Sequence, residues 1–147
     1  MKNNHHPSLL AAAAASVLLS ACASSNPMIA AADERGAVKT PAGVIYKQVR
    51  EGWGQSPRYE DRVRVKYRGY FPDGREFDRS PEEGAELGVN RVIVCWTEAL
   101  QIMRVGGKAT VTCPAYTAYG EKGAGNGAIP PNAVLRFDID LISIATQ

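Results

Sequence analysis

The sequence predicts an α+β domain in which an antiparallel sheet is covered on one face by a single short helix. Strict one-by-one alternation of apolar and polar residues is the first sign. It places Val63, Val65 and Tyr67 on one side, then Ala109, Val111 and Cys113, then Leu135, Phe137, Ile139 and Leu141. That is the period of a half-buried strand. The second sign is Trp96, Ala99, Leu100 and Met103, spaced at i, i+3, i+4 and i+7, which makes one apolar helical face. A sheet and a helix each bury their apolar side against the other.

The chain has 147 residues, of which 45% are hydrophobic, enough for one compact domain and too many for a disordered chain. The N-terminus stands apart from that domain. Lys2 precedes an apolar run from Leu9 to Leu19, which is shorter than the about 20 residues of a membrane span and fits the core of a signal peptide. The run ends in Leu19-Ser20-Ala21-Cys22, which resembles the lipobox of bacterial lipoproteins. The resemblance implies a signal peptide over residues 1–21, a lipid thioether on Cys22, and acylation of the new amino terminus, for example with palmitate. Ordinary cleavage near Ala21 or Ala23, with Cys22 incidental, is the rival reading, and Leu19 three residues before the cysteine favours the lipobox. By analogy with other lipoproteins, Ala23 rather than Asp directs the chain to the outer membrane, facing the periplasm. His5 and His6 fall in the removed segment, so the mature chain has no histidine and no histidine-based acid–base chemistry.

Residues 22–40 are small and polar with little periodicity, and read as a lipidated N-terminus and flexible tether. Residues 41–147 are expected to form the folded domain. Its first strand is predicted over Gly43 to Glu51, ended by Gly52-Trp53-Gly54. The next alternates Val63, Val65 and Tyr67 with Arg62, Arg64, Lys66 and Arg68, a basic stripe that reads as a solvated face. Pro72-Asp73-Gly74 turns the chain back. The helix is predicted over Trp96 to Met103 and stops at Gly106-Gly107. Strands follow from Lys108 to Cys113 and from Leu135 to Leu141. With Lys2 removed, the formal charge of +2 falls by one unit, which is no footprint of nucleic-acid binding. The Gly120 to Gly127 loop lacks the Lys-Ser or Lys-Thr of a phosphate cradle, and no cluster spaced for a metal is present.

Val65-Lys66-Tyr67-Arg68-Gly69, Asp73-Gly74-Arg75-Glu76-Phe77-Asp78, Val92-Ile93 to Trp96, Ala118-Tyr119-Gly120, Ile129-Pro130-Pro131-Asn132-Ala133 and Leu135 to Leu141 occur in that order. Together they resemble FKBP-type peptidyl-prolyl isomerases from about residue 41 to the C-terminus. The resemblance implies a twisted antiparallel half-barrel wrapped around one short helix. It implies a proline pocket with Trp96 as its floor and Tyr67, Phe77, Leu87, Val92, Ile93, Ile129 and Phe137 around it. The Tyr119 hydroxyl and the Ile93 N–H are the expected donors to a bound chain, and Asp78 the expected polar rim. Leu87, Val94 and Cys95 stand where the family commonly has Phe, Pro and Gly.

The function this implies is isomerisation of Xaa–Pro bonds in exported proteins, without cofactor or metal, by a membrane-tethered monomer that macrolides such as rapamycin inhibit. The alternative is a tethered binding or holdase module of the same fold with little catalysis. If the family fold holds, it also brings Cys95, at the helix start, beside Cys113, at the end of a strand. A disulfide between them is then expected in an oxidising compartment, two buried free thiols being the rival reading.

Overall fold

The computed structural model describes residues 26–145; Cys22 and the signal segment lie outside them. The sheet is built on the strands whose alternation is strongest. β3 (Arg62–Tyr70) and β7 (Leu135–Ala145) pair antiparallel from Arg62 opposite Ala145 to Tyr70 opposite Arg136. β6 (Lys108–Cys113) lies on the other side of β7, β2 (Ile45–Arg50) beyond β6, and β1 (Ala37–Lys39) at the edge. The remaining edge of β3 is shared. β5 (Ala85–Gly88) pairs with residues 62–65 and β4 (Glu76–Arg79) with residues 68–70. Between them the Ser80 hydroxyl accepts the Tyr67 N–H at 3.0 Å. The result is one antiparallel sheet of seven strands, ordered β1-β2-β6-β7-β3-β4 with β5 beside β3.

The alternating residues point as expected. Val63, Val65, Ala109, Val111, Leu135, Ile139 and Leu141 are fully buried, while Lys66 and Arg68 on the opposite face are exposed. The helix α2 (Val94–Ile102) begins two residues before the predicted start and lays Trp96, Ala99, Leu100 and, just beyond its end, Met103 into the same core. Gly106, with φ +87°, reverses the chain after the helix and donates to Leu141 O at 2.8 Å. Each buried Leu or Val contributes about 1.5–3 kcal/mol by leaving water.

The segment expected to be tether is folded from Asn26 onward. Asn26 caps a six-residue helix, α1 (Pro27–Ala32), its side chain accepting the Met28 N–H at 3.0 Å, and Pro27 opens the first turn where a missing N–H costs nothing. Ala31 is buried, and β1 adds to β2 with Val38 opposite Tyr46. Glu34 holds the segment down, 2.9 Å from Lys47 Nζ and 2.7 Å from an Arg136 guanidinium nitrogen. The tether expectation over residues 22–40 therefore fails from residue 26, because ion pairs to distant strands, not local periodicity, bind this segment. β1, β4 and β5, of three or four residues each, are too short to show an alternation. Among the described residues no helix is long and apolar enough to cross a membrane.

Cys95 and Cys113 are joined by a disulfide with Cα atoms 5.7 Å apart. Both are fully buried. The bridge ties the start of α2 to the end of β6, as the family resemblance implies, and the free-thiol reading fails.

Candidate functional site

The pattern that makes β3 a strand also sends Tyr67 towards the start of α2. The i, i+4 face of α2 points Trp96 at the sheet, where β7 presents Phe137. The indole meets both rings edge-on, 5.0 Å from Tyr67 and 5.3 Å from Phe137 between centroids, the geometry that sets a positive ring edge against a negative ring face. Gly69 makes room for the Phe77 and Phe137 rings, since a Cβ there would stand 2.8 Å from the Phe77 ring and 2.9 Å from that of Phe137.

The Tyr67, Trp96 and Phe137 rings border a cavity of about 470 Å³, lined also by Asp78, Leu87, Arg91, Val92, Ile93 and Tyr119. Most of the residues expected around the pocket from the family resemblance thus meet at one cavity. Two do not line it. Phe77 stands behind the wall, its ring 5.6 Å from Phe137 and 5.1 Å from Phe71. Ile129 is buried in the core, its backbone paired with Ala124 across the base of the 124–129 loop. Phe77 thus backs a lining residue, and Ile129 belongs to the core. Arg91 is a lining residue the sequence reading missed, although it is the one cation in the stretch from Leu87 to Ile93.

Polar groups are sparse and placed at the rim. The Tyr67 hydroxyl donates to Asp78 Oδ2 at 2.9 Å. Burial, reinforced by this bond to a carboxylate, pushes the Tyr67 phenol up to about 12. Burial, with the Asp78 charge nearby, also raises Tyr119. Both phenols are therefore donors at neutral pH. Among the described residues the Tyr119 hydroxyl and the Ile93 N–H have no hydrogen-bond partner. Ile93 is the N-cap of α2, so its N–H belongs to the unsatisfied set at a helix start and is free for an acceptor from outside. An aromatic cage with free donors at its mouth can hold a compact apolar ring and bond to the carbonyls beside it. Among the described residues no group of His, Cys, Asp and Glu could hold a metal ion.

Known proteins resemble this chain in sequence and fold. The family model for the FKBP-type peptidyl-prolyl cis-trans isomerase matches residues 54–142. The chain is similar to the FKBP-type isomerase FkpA of Aeromonas hydrophila, with 42% identity over 119 residues, covering 80% of this chain and 44% of that protein. It is similar to the FKBP-type 22 kDa isomerase of Escherichia coli, with 44% identity over 115 residues, covering 77% of this chain and 55% of that one. The crystal structure of a peptidyl-prolyl isomerase from Pseudomonas syringae superposes with a TM-score of 0.77 at 34% identity, covering 82% of this chain and 89% of that one. FkpA from Escherichia coli gives 0.76 at 36% identity, covering 80% and 55%. The chain spans about half the length of the curated relatives it matches.

Proposed function

This chain belongs to the FKBP-type peptidyl-prolyl cis-trans isomerase family, and on that premise we propose that it isomerises Xaa–Pro bonds in exported proteins in the periplasm. The observation that carries the reading is the Trp96 floor between the Tyr67 and Phe137 rings, with the Ile93 N–H and Tyr119 hydroxyl, unpartnered among the described residues, at its mouth. Rotation about the peptide bond faces a barrier of about 18–20 kcal/mol from amide resonance. At the twisted midpoint the nitrogen lone pair has left conjugation and the amide is less polar than in either planar form. A cavity walled by Tyr67, Trp96, Phe137, Leu87 and Val92 offers little to the planar amide dipole, so it favours the twisted state. Phe77 holds the Phe137 wall from behind. Ile93 N–H and Tyr119 Oη fix the carbonyls flanking the ring, and Asp78 meets the changing charge at the rim. Lowering the barrier by about 5–7 kcal/mol accelerates the step roughly 10⁴- to 10⁵-fold.

The same apolar cavity and rim donors suit macrolides such as rapamycin, with Leu87 making one wall less aromatic. Cys22 is the proposed lipid attachment, holding a monomeric domain at the outer membrane. The test of the activity is protease-free isomerisation of short Xaa–Pro peptides by the mature chain. Acceleration over buffer is expected; a rate equal to buffer refutes catalysis and leaves a binding module. Labelled fatty acid fed to expressing cells should enter the wild type and not Cys22→Ser, and equal label in both excludes Cys22.

A further inference from the structure

Among the residues lining the cavity, Arg91 alone is cationic. It closes the 3₁₀ turn Val89–Arg91 that leads into α2. Its stem lies along Gly88, where a Cβ would stand 3.3 Å from Arg91 Cγ and 3.4 Å from Cδ. The missing side chain at 88 therefore leaves the arginine a bed beside Leu87, at the cavity wall. The arginines of the neighbouring strands are matched with carboxylates: Arg64 with Glu86 at 2.6 Å, Arg68 with Glu76 at 2.8 Å and Arg79 with Glu76 at 2.6 Å. Arg91 has no carboxylate within 4.0 Å among the described residues. Asp78 lines the same cavity, yet its bond is to the Tyr67 hydroxyl. The mouth thus carries an anion and a cation that are not paired with each other.

A guanidinium is a planar fork of donors that takes a carboxylate two-fold, and it stays charged at every working pH. Left unmatched at the wall of a binding cavity, and not paired with Asp78, it is complementary to a ligand carboxylate. We infer that Arg91 is a specificity-determining residue that selects proline segments with an acidic side chain next to the proline. The inference rests on reading the cavity as the proline site.

The test compares peptides with Glu, Gln or Lys immediately before or immediately after the proline, using the mature chain. In the wild type the Glu-to-Lys ratio of kcat/KM is expected to reach about two- to fivefold at one flank, the size of a partly exposed ion pair. It should shrink towards one at about 1 M salt, where the screening length is about 3 Å. Arg91→Gln should bring the ratio to one. Lys39→Gln removes the same charge from β1, at the opposite edge of the sheet, and should leave the ratio as in the wild type. A ratio of one at both flanks in the wild type overturns the inference. So does a ratio that survives Arg91→Gln, or one that Lys39→Gln abolishes, since the last assigns the preference to overall charge. Calorimetric titration with the same peptides separates the two readings. A Glu preference in binding that Arg91→Gln removes, without isomerisation, supports Arg91 and refutes catalysis. Isomerisation without any charge preference does the reverse.

Discussion

Reducing the bridge between Cys95 and Cys113 isolates one contribution to this fold, because both sulfurs remain in the chain and in the core. The two residues are separated by 18 positions, and closing a loop of that size in the unfolded chain is worth about 3 kcal/mol on the chain-entropy account. The reduced thiols pack as small apolar groups, and the buried face of α2 still holds Trp96, Ala99 and Leu100 against the sheet. The native state should therefore survive reduction. The assay is urea unfolding of the same protein, oxidised and then in reductant, followed by circular dichroism. With a slope of about 1–3 kcal/mol per molar urea, the midpoint should fall by about 1–3 M on reduction. The slope itself should be shallower for the oxidised chain, whose cross-linked unfolded state exposes less surface. Coincident midpoints would refute the reasoning. A full midpoint shift with identical slopes would move the effect from the unfolded chain to native packing.

Tyr119→Phe removes one free donor at the rim without touching the core, and should lower kcat/KM about two- to tenfold with an unchanged circular dichroism spectrum; unchanged kinetics would remove Tyr119 from the machinery. Tyr67 has its pKa raised to about 12, so its neutral form is favoured on folding. Its contribution to stability is complete below the ordinary tyrosine value of about 10 and is lost as pH rises through about 12. Asp78→Asn should draw that titration downward, read by ultraviolet absorbance of the phenolate. Glu34 is held below its ordinary value chiefly by the hydrogen bond from Lys47, with Arg136 adding to it. A depressed carboxyl stabilises above its unfolded pKa, and the gain disappears as pH falls through the folded one. Glu34→Gln should therefore cost about 0.5–1 kcal/mol at neutral pH and nothing in strong acid, measured by urea unfolding at both.

Elements whose burial follows a local period were legible in the residues. The alternation of β3, β6 and β7 and the helical spacing of Trp96, Ala99, Leu100 and Met103 name the residues that the core buries, since a strand turns over every residue and a helix every three or four. The order of short motifs from Val65 to Leu141 led further, to the family and to most of the cavity wall. What those patterns cannot carry is pairing between distant parts of the chain. Residues 27–39 read as tether because their hold is an ion pair across 102 positions, from Glu34 to Arg136, and an edge of three residues on β2. Phe77 and Phe137 are both strand aromatics; only the sheet order, with β4 and β7 on opposite sides of β3, puts Phe137 on the cavity and Phe77 behind it. The sequence leaves Cys95 and Cys113 two fates, and the fold, which sets their Cα atoms 5.7 Å apart, joins them. Arg91 is one arginine among many in the sequence, and its lack of a carboxylate among the described residues is a property of everything around it. Periodicity reports which side of an element faces inward, whereas partners, and the want of them, are decided where non-local strands and loops meet.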